Sequence, residues 1–161
     1  MQLGVDFGTT RTLVARADRG NYPVVAFLDT DGDAQEYFPS LVALRGSRLV
    51  HGFEAVAAVR DGAPHVRSVK RLLGQPSATA TTPVVIGTRT FGLLEVLTGY
   101  LTALRTALGN ASNIAEEFRA ATSRRTVVSV PAHAHGAQRF LTLEAFRQAG
   151  FDVAGLVNEP S

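Results

Sequence analysis

The residues with the clearest chemical potential lie near the start, in Leu3-Gly4-Val5-Asp6-Phe7-Gly8-Thr9-Thr10-Arg11. A short apolar run ends in a carboxylate, and a glycine and two hydroxyl residues precede a second apolar run, Thr12-Leu13-Val14-Ala15. The pattern predicts a strand, a tight turn and a returning strand. Backbone N–H groups and hydroxyls in such a turn suit an anion, and the neighbouring carboxylate of Asp6 suits a hydrated divalent cation. A metal-bound polyphosphate satisfies both. The same residues also fit a plain hairpin turn with an ordinary carboxylate at a strand end, because short motifs recur by chance.

Three further segments carry candidate groups. Lys70 stands in Val69-Lys70-Arg71-Leu72-Leu73-Gly74, and it is the only lysine among 16 cationic side chains. A lysine is a compact point charge able to contact one phosphate oxygen or one water, unlike the planar fork of arginine. Its alternative is a solvated surface cation. Val130-Pro131-Ala132 with Gln138-Arg139, and Asn158-Glu159-Pro160-Ser161, are the other two segments. Pro131 could simply end a strand, and Glu159 could stabilise the first turn of a helix. His133 and His135 are spaced as a potential metal pair, but two imidazoles without further ligands suit a solvated loop better.

These segments need elements to carry them. Strands are predicted at 2–6, 12–18 and 22–28, as an antiparallel meander with turns at Asp18-Arg19-Gly20-Asn21 and at 29–33. Short helices are predicted at 53–60 and 68–73, the second stopped by Gly74 and Pro76. Leu93, Leu97, Tyr100, Leu101, Leu104 and Leu108 fall on one face of a long helix spanning 91–108. A further helix at 112–121 has Ser112 or Asn113 as its cap, and 126–130 reads as a buried strand. A helix at 136–149 and a buried strand at 153–157 complete the series, and Pro160 suits the first turn of another helix. The expected architecture is α/β: a mixed five-stranded sheet with flanking helices. Residues 1–37 and 93–161 would form a core subdomain, and 38–92 a small inserted α+β subdomain.

Composition narrows the function classes. A 161-residue chain with 45% hydrophobic and 19% charged residues can bury one sizeable core. No cysteine is present, which excludes disulfides, thiolate metal sites and a cysteine nucleophile. The arginines are scattered rather than gathered into a stripe, which argues against a nucleic-acid surface. No apolar run reaches bilayer length, and no secretory pattern opens the chain, so no membrane partner and a cytoplasmic location are expected.

Together, in this order, the four segments resemble the actin-like ATPase domain of the seventy-kilodalton heat-shock chaperones of DnaK type. That family reads G-I-D-L-G-T-T-N-S, I-K-R-L-I-G, V-P-A-x-F-x-x-x-Q-R-x-x-T and I-N-E-P-T-A-A-A. The corresponding runs here are Gly4-Val5-Asp6-Phe7-Gly8-Thr9-Thr10, Val69-Lys70-Arg71-Leu72-Leu73-Gly74, Val130-Pro131-Ala132 with Gln138-Arg139-Phe140-Leu141-Thr142, and Val157-Asn158-Glu159-Pro160-Ser161.

The resemblance implies ATP or ADP as cofactor with Mg2+, and K+ as an accompanying ion. By it, Asp6 holds magnesium through water. Gly8, Thr9 and Thr10, with Arg11 beside them, form the first phosphate loop. Lys70 is the catalytic lysine, Glu159 helps to position metal and water, and Pro131 with Arg139 forms a proline switch. It also implies that this is the first lobe of a chaperone ATPase, inactive alone. The second lobe of the same domain would be its partner, and in the parent protein unfolded peptides and co-chaperones. The second phosphate loop and the peptide-binding domain have no counterpart here. Arg11 stands where the family commonly has asparagine, Ala134 replaces the usual Phe, and the inserted region is shorter. Two other readings remain: a catalytically silent actin-like scaffold, and the lobe of an actin-fold small-molecule kinase.

Overall fold

The computed structural model describes residues 1–160. Its central sheet is built from β1 (Gln2–Phe7), β2 (Arg11–Arg16), β5 (Phe38–Pro39), β11 (Arg125–Val130) and β12 (Asp152–Asn158), in the order β12-β11-β1-β2-β5. Pairing is parallel across β12, β11 and β1 and antiparallel from β1 to β2 and β5. This is the mixed five-stranded sheet expected from the sequence.

Alternation decides which face of that sheet is covered. Leu3, Val5 and Phe7 of β1, Thr12 and Val14 of β2, and Thr126, Val128 and Val130 of β11 all point into the core. They pack beneath α3 (Leu93–Asn110), whose buried stripe includes Leu97, Tyr100, Leu101, Leu104 and Leu108. Leu141, Ala145 and Phe146 of α5 (Gly136–Gln148) extend the same core. Each large apolar side chain buried there contributes about 1.5–3 kcal/mol relative to exposure. Leu13, Val24, Val127 and Val157, on the alternate positions, remain open on the other face.

The third meander strand is a correction. Residues 22–28 do not run continuously beside β2. Arg16 N–H donates to the carbonyl of Pro23, and Val25 N–H to that of Val14, but the pairing stops there. Pro23 has no N–H to offer. Beyond Val25 the chain is drawn off by the loop after α3: Asn113 N–H donates to Ala26 O, Leu28 N–H to Ala111 O, and Asn113 Oδ1 accepts from Ala26 N–H. β3 (Phe27–Leu28) then pairs with β4 (Ala34–Gln35), and β5 takes the place beside β2 that the meander had been expected to fill.

Residues 41–92 hold β6 (Leu41–Arg45), β7 (Arg48–His51), α1 (Gly52–Arg60), β8 (His65–Arg67), α2 (Val69–Leu73), β9 (Pro83–Ile86) and β10 (Arg89–Gly92). The first, second and fourth of these form an antiparallel sheet, and the last two a hairpin. Gly52 joins β7 to α1 at φ +61°, where a Cβ would lie 2.2 Å from the Phe38 ring. Only glycine admits that approach. α4 (Ala115–Ala120) starts later than expected, because Ser112 Oγ donates back to Leu108 O and accepts from Ile114 N–H instead of capping a helix at 112.

Candidate functional site

Parallel pairing brings three distant segments to one end of the sheet. Val5 lies opposite Val128, and Val130 opposite Asn158, so Asp6, Ser129 and Asn158 emerge at the carboxyl ends of β1, β11 and β12. Carboxyl ends of parallel strands are where open α/β sheets bind ligands. A register shift between Thr126 and Val127 contributes: Thr126 pairs with Val153, but Val127 pairs with Gly155. The extra residue in β12 sets Asn158 opposite Val130, and a one-residue slip would turn it to the other face. Glu159 N–H donates to Val130 O at 2.7 Å, which continues the ladder one residue further and fixes the Glu159 backbone.

Asp6 is solvent-exposed, and its Oδ1 accepts from Ser129 Oγ at 2.8 Å. Sequence reasoning missed Ser129. Its signal was a hydroxyl residue interrupting a β-branched run just before Pro131. After Asp6 the chain reverses tightly, with Gly8 N–H donating to Arg11 O at 3.0 Å. A Cβ on Gly8 would sit 2.2 Å from that same oxygen, so the turn admits no side chain there. Thr9 and Thr10 form the tip, and Thr10 O accepts from Ser40 N–H. A cavity of about 250 Å3 opens beside them, with Arg60 and Arg67 as its charged lining. Arg11 turns away from the tip: its guanidinium lies over the Tyr37 ring, 4.4 Å from the centroid.

Lys70 reaches this edge from α2. Ser68, the residue before the helix, holds a left-handed conformation at φ 61°, a cost of about 1 kcal/mol for a residue with a Cβ. Lys70 Nζ donates to Glu159 Oε1 at 2.5 Å, joining residues 89 positions apart. The side chains are 15% and 28% exposed, so the pair is largely sheltered and keeps some contact with solvent.

Pro131 directly follows β11 and its carbonyl accepts from Ala134 N–H. Arg139 spans the loop, donating from Nε to Ala134 O at 3.2 Å and from Nη2 to Asn158 Oδ1 at 2.8 Å. Its contacts are thus with the loop backbone and the residue before Glu159. His135 belongs to the N-terminus of α5, where its Nδ1 accepts from Gln138 N–H. The metal-pair reading of His133 and His135 gains nothing: among the described residues no group of three or more His, Cys, Asp or Glu could hold a metal ion. A magnesium ion that keeps most of its waters needs only one or two carboxylates besides phosphate oxygens, which Asp6 can provide.

Strands and helices in this order, with charged groups at the carboxyl ends of the parallel strands, define an actin-like ATPase lobe of α/β class. Comparison with known proteins agrees. The family model described as Hsp70 protein matches residues 2–161. Chaperone protein HscA of Citrobacter koseri is 32% identical over 98% of this chain and 27% of its own length. HscA of Klebsiella pneumoniae strain 342 is likewise 32% identical, and HscA of Cronobacter sakazakii 31%, over the same shares. The chain belongs to the Hsp70 family. It spans about a quarter of the length of these curated relatives. No helix among the described residues is long and apolar enough to cross a membrane.

Proposed function

We propose that this chain supplies the first lobe of a two-lobed, ATP-hydrolysing chaperone domain, with residues 38–92 as an insert in its core subdomain, the first two of them still paired with β2 in the core sheet. The observation that carries the reading is the Lys70–Glu159 contact at the carboxyl edge of the sheet that also bears Asp6. Phosphoryl transfer is mostly positioning and charge neutralisation. In this reading the amides and hydroxyls of Thr9 and Thr10 would receive phosphate oxygens, the Gly8 N–H being held by Arg11 O, and Asp6, oriented by Ser129, would hold Mg2+ through water. Lys70 would neutralise charge on the γ-phosphate and contact the attacking water, and Glu159, its partner here, would help to position metal and water. K+ is an accompanying ion. Arg139 and Pro131 carry the nucleotide state onward from the Asn158-Glu159 segment, toward unfolded peptide clients and co-chaperones of the whole protein, in the cytoplasm.

The test is Mg-ATP turnover by the protein carrying both lobes, beside its Lys70→Met version. Loss of turnover by about 100-fold or more with nucleotide binding retained is expected. Full turnover in the variant would remove Lys70 from the chemical step, and no turnover in either protein would favour a silent scaffold.

A further inference from the structure

The contacts around Lys70 close into a ring. Lys70 meets Glu159; Asn158, next in the chain, accepts from Arg139; and Arg139 N–H donates to His135 O at 3.1 Å within the first turn of α5. His135 then reaches across to the end of the Lys70 helix, where its Nε2 lies 3.2 Å from the carbonyl oxygen of Gly74. Gly74 N–H donates back to Lys70 O at 3.1 Å. α2 is thereby linked in one circuit to α5 and β12, two successive elements that begin about sixty positions further along the chain.

Both nitrogens of His135 are used, and they fix its tautomer. Nδ1 accepts from Gln138 N–H at 3.1 Å, so the ring proton sits on Nε2 and is donated to Gly74 O. One side chain therefore does two separable things. Towards its own helix it is an N-cap, a task that Asn performs as well. Towards α2 it is a tie, which a shorter side chain cannot make while it caps. The tie matters because α2 is a five-residue helix, too short to be stable by itself, and is entered through a strained Ser68. Val69 and Leu73 anchor its apolar side in the core, and His135 adds a polar contact at its exit, on Gly74 O.

We propose that His135 is a positioning residue that ties the Lys70 helix to the arginine-bearing α5, so that the lysine and the Pro131–Arg139 segment move together. The proposal rests on the reading of Lys70 as the cation acting on the γ-phosphate. Displacing a reacting group by about 1 Å is enough to cost up to 100-fold in rate.

The two tasks separate in His135→Asn, which keeps a capping side chain and loses the tie, and in His135→Ala, which loses both. Amide hydrogen exchange on this chain is the first readout. In His135→Asn, exchange at residues 71–75 should quicken about tenfold or more while the first turn of α5 keeps its protection. The second readout is Mg-ATP turnover by the two-lobed protein: His135→Asn should lower kcat by about tenfold with KM for Mg-ATP little changed. A purely structural cap predicts wild-type behaviour of His135→Asn in both readouts, with damage confined to His135→Ala, and that result overturns the proposal. The ATPase reading fails separately, on unchanged turnover in Lys70→Met, and the exchange experiment remains decisive for the tie itself.

Discussion

Two polar clusters of the molecule are built on opposite principles. Thr12, Ser40 and Tyr100 lie beside the Thr9-Thr10 turn, fully enclosed; Thr12 Oγ1 is 3.0 Å from Ser40 Oγ and 2.8 Å from Tyr100 OH. All three are neutral hydroxyls, and burial drives the Tyr100 phenol well above its usual range, so it stays protonated. Lys70, Glu159, Arg139 and Asn158 lie at the sheet edge, partly open, and three of the four carry charge. Neutral groups bonded to one another can be enclosed at little cost, whereas charges are kept where water or a ligand reaches them. The enclosed cluster meets the turn through the Ser40 N–H, which donates to Thr10 O. The edge cluster can exchange partners.

The largest expected effect on folding comes from the turn beside the enclosed cluster. Gly8→Ala puts a methyl carbon against the Arg11 carbonyl oxygen, a clash that no rotamer relieves because Cβ is fixed to the backbone. A loss of about 3 kcal/mol or more is expected, read by urea unfolding. A stability within 0.5 kcal/mol of wild type would mean that the turn is looser than described.

A third kind of polar burial sharpens the contrast. His51 is half-buried, and its Nε2 is enclosed without a hydrogen-bond partner among the described residues; burial lowers its pKa to about 4. The unfolded chain then binds a proton near pH 6.5 that the folded chain refuses until about pH 4. Stability from this group is therefore full above about pH 6.5 and lost as pH falls towards 4, by about 2.5 kcal/mol between pH 7 and 4.5. Unfolding at both pH values, wild type beside His51→Leu, isolates the contribution. An equal acid loss in both proteins would contradict it.

The smallest effect belongs to the enclosed cluster. Tyr100→Phe removes one hydrogen bond and leaves Thr12 and Ser40 paired with each other, so about 1 kcal/mol is expected by thermal unfolding. A loss above 3 kcal/mol would show that the three hydroxyls act as one cooperative unit.

What the sequence revealed of these regions follows the range of the forces involved. The long apolar stripe of α3, the β-branched run of β11 and the glycine-hydroxyl turn are local patterns, and each appears where its residues predict. The third meander strand failed because its partner is not local: Asn113, more than eighty positions away, captures Ala26 and draws the chain from the sheet. Lys70 and Glu159 were legible as separate motifs, but their contact depends on the β11–β12 register shift, which no local pattern reports. Ser129 and His135 carry single polar contacts between distant elements and read as loop or strand residues until the fold is assembled.

The comparison is tested most directly by Mg-ATP turnover in the two-lobed protein, with Lys70→Met and Tyr100→Phe measured together. The edge cluster should carry the chemistry and the enclosed cluster only the scaffold. Lys70→Met should therefore lose turnover about 100-fold or more at unchanged stability, and Tyr100→Phe should keep turnover within about twofold. Retained turnover in Lys70→Met, or a comparable collapse in both variants, would contradict that division.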